Sequence, residues 1–339
     1  MTNVPNKDYS KMLVEERTML VENIFITYPE LTDIMDKIAD CHSRSKTSAE
    51  PKCLSITGES GCGKTTIAEV YNTKYASTRT DEGITVPVLL VTISAPATVK
   101  ALATDILDSL GDPLADRGTV TSLTRKVYKL VKECGVELII FDEFQHLIDR
   151  DSDRVLQVAS DWLKNFLNKT KVPMVLMGLP YSVRILEANP QLRRRFSVRK
   201  ELKPFVWENP ESQKRFLKFL KAIELVLPLK ESSYIYSLPI AFRIYCASGG
   251  LISNVMKVMR TATIMALDRR LESLNLDLLA MAYEDEMASL YPGYKNPFLV
   301  DEKELKPLPP EDELQGKKQR GSYRRKRKDI GSITEVLCA

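Results

Sequence analysis

The chain has 339 residues, of which 44% are hydrophobic and 28% are charged. This composition is typical of a folded globular protein and excludes a largely disordered one, and the length allows one large domain or two smaller ones. The best apolar stretch, VPVLLVTI, has only the size of a strand, so we expect no membrane-spanning segment and no membrane partner.

Cysteine usage and the N-terminal segment both indicate the cytoplasm. The six cysteines are scattered without a C-x-x-C pair, which favours reduced thiols over a disulfide framework or a zinc site. His42 and His146 are the only histidines, so a histidine-based metal site is not expected. The first residues, MTNVPNKDYS, lack the basic and apolar regions of an export signal.

Charge is unevenly distributed along the chain. The net charge is +4, but the block 317–328, KKQRGSYRRKRK, carries +8 by itself and leaves −4 for the rest. A DNA contact by the folded body would therefore use a local basic surface. The block could strengthen DNA binding or dock on an acidic partner, and the sequence leaves both roles open.

Periodicity divides the chain into four segments. Residues 1–50 have helical spacing and form an N-terminal helical segment. In 51–205, apolar strands such as VPVLLVTI, VELIIF and VPMVLMG alternate with amphipathic helices, which predicts an α/β fold with a parallel sheet between helices. Residues 206–290 are predicted to be all-helical. The segment 291–339, rich in proline and charge, is predicted to be a flexible basic tail.

A phosphate-binding motif follows the first predicted strand. GESGCGKT at 58–65 matches G-x-x-x-x-G-K-[ST] and opens a helix. Its glycines let backbone N–H groups point at a phosphate, while Lys64 and Thr65 supply a positive charge and a hydroxyl for Mg²⁺. We therefore predict ATP and Mg²⁺ as ligands, with 51–205 as the nucleotide-binding core. The candidate ligands are Gly58, Glu59, Ser60, Gly61, Cys62, Gly63, Lys64, Thr65 and Thr66.

Two adjacent acids end the strand LIIFDE at 138–143. Asp142 at the strand tip is predicted to hold Mg²⁺ together with Thr65, and Glu143 to act as the general base that polarises an attacking water. An Asp-Glu pair favours hydrolysis over binding alone, so Glu143 and Lys64 are candidate catalytic residues.

This order of motifs, followed by an arginine segment and a helical region, resembles that of the AAA+ ATPases. FDEFQHL, LMGLP and LRRRF are more narrowly similar to the TnsC/TniB family of regulators of Tn-type DNA transposition. The resemblance covers about residues 15–285 and implies an AAA+ core with a small helical lid at 206–290.

The resemblance also implies a function. Family members are bacterial, DNA-associated ATPases that form a ring or filament of identical subunits on duplex DNA. They link a target-selection protein of the TniQ or TnsD type to the transposase, and slow, DNA-stimulated hydrolysis resets them. A helicase- or initiator-loading AAA+ ATPase and a non-hydrolysing, ATP-gated DNA scaffold are the alternatives. Neither the targeting partner nor the number of subunits per turn follows from the sequence.

The run QLRRRF at 191–196 has a possible role in catalysis. In an AAA+ oligomer this segment faces the nucleotide of the neighbouring subunit, where an arginine stabilises charge on the γ-phosphate. We interpret Arg194 or Arg195 as that residue and Arg193 as part of an interface ion pair. A DNA-facing or solvated cluster is the alternative.

Two positions depart from the common AAA+ pattern. Gly178 stands at the end of the fourth strand, where many relatives have a polar residue that orients water, and Gln145 is a candidate substitute. Ser253 and Asn254 stand where many relatives have an arginine that contacts phosphate. These changes affect the expected rate of hydrolysis and the coupling of the lid to nucleotide.

Candidate DNA contacts lie between the second strand and the Asp-Glu strand. Lys100, Thr121 and Lys126 have side chains suited to the phosphate backbone, which carries no sequence information. A solvated helix face with ordinary charge pairs is the alternative for each of them.

Overall fold

The computed structural model describes residues 9–44, 50–81, 83–95, 97–148 and 153–309. The strands are β1 (Leu54–Gly58), β2 (Thr78–Thr80), β3 (Gly83–Thr85), β4 (Val88–Thr92), β5 (Leu138–Asp142), β6 (Met174–Gly178) and β7 (Val198–Leu202). The helices are α1 (Val14–Glu22), α2 (Pro29–Ser43), α3 (Lys64–Thr73), α4 (Val99–Ser109), α5 (Val120–Glu133), α6 (Asp153–Thr170), α7 (Arg184–Glu187), α8 (Pro190–Arg195), α9 (Pro210–Val226), α10 (Leu238–Ser248), α11 (Ile252–Asp268) and α12 (Leu276–Tyr283).

The described residues form two compact units. An α/β unit comprises Phe25–Pro204, and a helical unit comprises the residues up to Ile24 together with those from Phe205 onwards. Residues of the expected N-terminal segment 1–50 fall in both units, since α1 belongs to the helical unit and α2 to the α/β unit. The boundary expected between residues 205 and 206 stays a prediction.

The α/β unit is built on a parallel five-stranded sheet with the order β4-β5-β6-β1-β7. All residues of β5 and β6 are buried, which explains why their sequences are continuous apolar runs. The chain leaves β1 for the far edge at β4, returns through β5 and β6, and then adds β7 on the other side of β1. The carboxyl ends of β1, β5 and β6 therefore lie side by side at one end of the strands, where open α/β sheets bind their ligands.

The sequence pattern does not predict strand β7. Its sequence, VRKEL, contains three charged residues, and only Leu202 is fully buried. The strand pairs with β1 along its whole length, with Leu54 opposite Val198 and Gly58 opposite Leu202. As an edge strand it can expose charge, so the apolar signal that identified the central strands is missing.

Aromatic residues fill the core between the sheet and the helices of the α/β unit. Phe141, Phe166 and Phe196 are completely buried. Trp162 stacks on Phe166 with ring centroids 5.2 Å apart and donates its indole N–H to the Thr124 hydroxyl at 3.1 Å. The sheet and its helices therefore share an aromatic core.

In the helical unit, α1 is joined to the later helices through Arg17. The guanidinium donates to the Pro228 carbonyl and to the Glu272 carboxylate, with Nη2 2.6 Å from Oε2 of Glu272. The hydrogen bond from Arg17, helped by the charge of Arg17 and by hydrogen bonds from Lys230, lowers the pKa of Glu272 to about 2 although partial burial opposes this. Arg17 is 6% exposed, so this pair anchors α1 from within.

Residues 291–309, expected to begin the flexible tail, pack against the helical unit instead. Asn296 is buried and donates to the Ala280 carbonyl at 2.9 Å and to the Glu284 carboxylate at 2.8 Å. Phe298 and Leu308 are 4% and 5% exposed. The expectation is therefore wrong for these residues, because a few apolar anchors between the prolines suffice to hold the segment. The basic block 317–328 lies outside the described residues.

Among the described residues, no helix combines the length and apolarity needed to cross a membrane.

Candidate nucleotide site

The phosphate-binding loop joins β1 to α3. Gly63, the residue before α3, has φ +93°, and Gly61 has φ +79°, conformations that residues with a side chain rarely adopt. A Cβ on Gly63 would have no atom within 4 Å, so the backbone conformation and not a lack of space requires glycine there. The other candidate ligands lie in the same loop or in the first turn of α3, with Cys62 buried and Thr65 and Thr66 exposed.

Gly58 has a packing reason in addition to its place in the motif. A Cβ at this position would lie 2.5 Å from the carbonyl oxygen of Leu202 in β7. Glycine therefore lets β7 approach the end of β1 closely. This requirement could not be read from the motif, since β7 itself was not expected.

Lys64 lies folded over the loop with 6% of its surface exposed. Its Nζ donates to the carbonyl oxygens of Gly58 and Glu59 at 2.7 and 2.9 Å. Neither partner carries a negative charge. A phosphate in the loop would therefore provide the anionic partner that this ammonium lacks in these two contacts.

Thr65 and Asp142 come together at the carboxyl edge of the sheet. The Thr65 hydroxyl donates to Oδ2 of Asp142 at 2.6 Å, and Asp142 is 1% exposed at the end of β5. A hydroxyl and a carboxylate are hard oxygen ligands of the kind that Mg²⁺ prefers. The two side chains, 77 residues apart in sequence, thus fit the predicted metal pair.

Glu143 has a strained backbone next to this pair. Its φ is +55°, and its N–H donates to Oδ1 of Asp142 at 2.9 Å. Residues held in this region cluster at functional sites, because the surrounding structure must offset the strain. The Glu143 side chain is 38% exposed.

Gln145 connects Glu143 to the end of β6. Its amide nitrogen donates to Oε2 of Glu143, and its amide oxygen accepts from the N–H of Leu179 at 3.2 Å. A Cβ on Gly178 would lie 2.9 Å from Oε1 of Gln145 and 3.0 Å from the Ser182 hydroxyl. The glycine at the end of β6 therefore makes room for Gln145, which occupies the place expected for a polar residue at 178.

His146 is a further neighbour of Glu143 that the sequence analysis did not assign to the site. Its Nε2 lies 3.7 Å from Oε2 of Glu143. The only sequence signal is its position in the short turn after the acids, Phe144–Leu147.

Helix α8, which carries the arginines, lies at the amino end of β1, whereas the phosphate-binding loop lies at its carboxyl end. The Cys53 N–H, just before β1, donates to the Arg195 carbonyl at 2.9 Å, whereas the loop begins after the other end of β1. Five residues of strand separate these two ends by roughly 16 Å. Asn189 caps α8 by accepting from the N–H groups of Gln191 and Leu192.

The three arginines differ in their surroundings. Arg193 and Arg194 are exposed, whereas the Arg195 side chain is 19% exposed and has Nη2 3.2 Å from Oε1 of Glu50. Arg194 and Arg195 also line an open depression of about 340 Å³. An intrachain ion pair thus engages Arg195, the residue that the sequence could not distinguish from Arg194.

The predicted DNA contacts fall into two groups. Lys100 and Thr121 are exposed at the second positions of α4 and α5, whose first turns are capped by Thr98 and Thr119. Lys100 and Val120 line the same shallow depression of about 320 Å³, so the two helix starts are close together.

Lys126 instead forms an ion pair with Asp112. Burial raises the pKa of Asp112, but the hydrogen bonds from Lys126 and the Leu114 N–H, together with the charge of Lys126, outweigh this, and the net pKa is lowered. The ammonium of Lys126 is therefore already paired within the chain.

Asn254 has a structural role in the helical unit. It is 5% exposed, and its amide donates to the Ser248 carbonyl at 3.2 Å and to the Tyr291 hydroxyl at 3.3 Å. Ser253 is half-buried beside it. Asn254 thus ties α11 to the end of α10 and to the segment after α12.

Three solved structures of low sequence identity share this fold. The ORC2 protein of Aeropyrum pernix in ADPNP-ADP complexes has a TM-score of 0.59 at 15% identity, covering 78% of this chain and 71% of that one. The ORC1 protein of Aeropyrum pernix in complex with DNA has a TM-score of 0.56 at 15% identity, with coverages of 79% and 69%. CDC6P from Pyrobaculum aerophilum has a TM-score of 0.57 at 13% identity, with coverages of 79% and 70%.

These likenesses support the AAA+ P-loop fold predicted from the sequence. No curated protein sequence matches the chain significantly. The model of the bacterial TniB protein matches residues 17–206, a range that contains the phosphate-binding loop, the Asp-Glu strand and the arginine helix. Because this match covers more than half of the chain, the protein belongs to the TniB family and is an AAA+ ATPase.

Proposed function

We propose that this ATPase assembles on duplex DNA as a homo-oligomer whose active sites are shared between subunits, and that it regulates transposition. The observation that carries the proposal is the separation of the two halves of the site. Exposed Arg194 belongs to α8, whose last carbonyl bonds the residue before β1, whereas the phosphate-binding loop follows the other end of β1, roughly 16 Å away along the strand. A head-to-tail arrangement of subunits would bring one end to the other.

The chain's own residues account for the hydrolytic step. The loop and Lys64 hold the β- and γ-phosphates of ATP, and Thr65 and Asp142 would hold Mg²⁺, which supplies positive charge to the phosphate oxygens. Glu143 accepts a proton from the water whose oxygen attacks the γ-phosphorus. The bond from that phosphorus to the bridging oxygen breaks, and ADP and phosphate leave.

Gln145 positions the general base in this scheme. It ties the Glu143 carboxylate to the peptide N–H of Leu179, so the base has a fixed direction without a polar side chain at 178. Slow hydrolysis is expected, because no polar side chain at the end of β6 orients the attacking water directly.

Arg194 is the residue that we assign to the neighbouring subunit's γ-phosphate. It is exposed, whereas Arg195 is engaged with Glu50. Arginines supplied by a second protein or subunit raise the rate of other NTPases by about 10³–10⁵. Assembly and hydrolysis would thus depend on the same side chain.

DNA contact is assigned to the starts of α4 and α5. Lys100 and Thr121 present a positive charge and a hydroxyl next to two helix N-termini, where phosphate is favoured. These contacts carry no base information, so target choice needs another protein. We propose a transposase and a target-selection protein of the TniQ or TnsD type as partners, on the resemblance of the motifs to the TnsC/TniB regulators of transposition.

Electron microscopy of the full chain with duplex DNA and a slowly hydrolysed ATP analogue tests the assembly. Rings or filaments that follow the DNA support the proposal, and nucleotide-bound monomers contradict it. A specific affinity for a replicative helicase without DNA-dependent assembly would favour the alternative of a helicase or initiator loader.

Glu143→Gln tests the enzymatic part. We expect turnover to fall by about 10²-fold or more, with nucleotide binding retained and the DNA complex longer-lived. Glu69→Gln, an exposed carboxylate on α3, is the matched control. Unchanged turnover and complex lifetime would mean that the protein acts as a non-hydrolysing scaffold.

A further inference from the structure

Tyr234, in the connection between α9 and α10, combines an unfavourable backbone with an exposed ring. Its φ is +53°, and the residue is 60% exposed. Lys171 and Arg270 share a positive φ, but they follow the ends of α6 and α11, where this conformation is usual. Tyr234 follows no helix end and lies far in sequence from the nucleotide site.

The conformation of Tyr234 is enforced by one carboxylate. Glu224 of α9 accepts from the N–H of Tyr234 at 2.8 Å, from the N–H of Ile235 at 2.9 Å and from the Ser232 hydroxyl. Buried Ser233 anchors the same turn by accepting from the Leu274 N–H at 2.8 Å. Glycine or asparagine would adopt this backbone at lower cost.

Apolar side chains are also exposed at both ends of the connection that contains Tyr234. Leu225 at the end of α9 and Leu238 at the start of α10 are 53% and 55% exposed. The Tyr236 ring lies 6.3 Å from that of Tyr234, and Nζ of Lys221 lies 5.5 Å from the centre of the Tyr236 ring. We call Tyr234, Tyr236, Leu225 and Leu238 the tyrosine patch. Exposed groups such as Tyr234, Leu225 and Leu238, beside the half-buried Tyr236, are typical of a protein contact.

A basic stripe leads to the tyrosine patch along α9. Lys214, Lys218 and Lys221 are exposed at helical spacing on one face, and Leu225 continues that face. Positive charge beside apolar anchors complements a chain that carries both acidic and apolar residues. Two exposed leucines favour a protein over a nucleic acid, which would be bound by aromatic and basic groups alone.

We propose that the tyrosine patch and the basic stripe form a docking site for an acidic peptide segment of another protein, with an apolar side chain seated against Tyr234 and Leu238. The site uses no residue of the nucleotide-binding loop, the Asp-Glu strand or α8. It therefore operates whether or not the proposed shared active site is correct.

Selection of short random peptides displayed on phage against the immobilised full chain tests the specificity. Enrichment of peptides with Asp or Glu around Leu, Phe or Trp supports the site. Enrichment of neutral or basic peptides, or no enrichment, overturns it.

Fluorescence polarisation with an enriched synthetic peptide then locates the contact. Tyr234→Asn keeps the left-handed backbone, so we expect an unchanged or higher Tm together with binding at least about tenfold weaker. Lys218→Glu should weaken binding in a salt-dependent way. Leu299→Ser, which removes a 67% exposed leucine elsewhere in the helical unit, should leave binding unchanged.

Three results would contradict the assignment. Equal peptide binding by the wild type and Tyr234→Asn would place the peptide elsewhere. Loss of affinity for short single-stranded DNA in Tyr234→Asn would make the patch a nucleic-acid site. Loss of self-association in sedimentation, with peptide binding retained, would make it a contact between copies of the chain.

Discussion

A Cβ on Gly178 would lie 2.9 Å from the side-chain oxygen of Gln145, the residue that holds the Glu143 carboxylate. Glycine at 178 therefore provides the space that the side-chain amide of Gln145 occupies. This relationship leads to a test that separates positioning of the base from folding.

Gly178→Ala and Gln145→Ala should each lower kcat by about tenfold, because both free the Glu143 carboxylate, while nucleotide affinity is unchanged. The double variant should be no slower than Gln145→Ala alone, since the shortened side chain no longer meets the new methyl group. Gln213→Ala, which changes an amide in the helical unit, serves as the control. Additive losses in the double variant would contradict the arrangement.

Gln145→Glu gives an independent readout of positioning. A carboxylate at 145 repels that of Glu143 and no longer donates a hydrogen bond to it, so kcat should fall at least as far as in Gln145→Ala, with nucleotide affinity unchanged. A kcat equal to that of the wild type would show that residue 145 does not position the base.

Mixing two inactive variants tests whether the site is shared. Lys64→Ala removes phosphate binding in one subunit and Arg194→Ala removes the arginine offered to a neighbour. In an equal mixture, about a quarter of head-to-tail interfaces combine an intact Lys64 with an intact Arg194, so ATPase activity should reappear. Arg193→Ala should be less impaired than Arg194→Ala. An inactive mixture would mean that each subunit completes its own site.

The candidate DNA contacts should differ in strength. Lys100→Ala should reduce the slope of log affinity against log salt by about 0.9, because one phosphate contact is lost. Lys126→Ala should change the slope less, since Asp112 already pairs with Lys126. Lys132→Ala, at the other end of α5, is the control, and binding is followed by fluorescence anisotropy with labelled duplex. Equal slopes for Lys100→Ala and wild type would show that Lys100 does not contact a DNA phosphate.

The Arg17–Glu272 pair predicts the acid stability of the helical unit. The pKa of Glu272 is lowered from 4.5 to about 2, so its contribution to the free energy of unfolding is complete above pH 4.5 and is lost as pH falls through about 2. Glu272→Gln should destabilise by on the order of 2 kcal/mol at neutral pH, because Arg17 is left buried without its partner, and the difference should vanish near the lower pKa.

Glu304→Gln provides the comparison for that measurement. Glu304 is paired with Lys295 on the surface, and such pairs contribute little. Thermal unfolding across the acid range should therefore show a pH-dependent loss for Glu272→Gln only. A similar loss in both variants would assign the effect to net charge.

The sequence by itself determined the parts whose chemistry is local. The phosphate-binding loop and the Asp-Glu pair are short motifs in which residue type and spacing follow from phosphate and Mg²⁺ chemistry. The apolar runs of β5 and β6 follow from burial on both faces, and together with these motifs they predict the parallel P-loop sheet.

Only the tertiary structure decided which side chains are engaged and which are free. Lys126 meets Asp112, Arg195 meets Glu50, and Gln145 fills the space beside Gly178 because of contacts that no periodic pattern encodes. The charged edge strand β7 and the packed residues 291–309 have too few apolar positions to be recognised before their neighbours are known. The strain at Tyr234 likewise arises from Glu224 ten residues earlier, and it becomes visible only when the turn is formed.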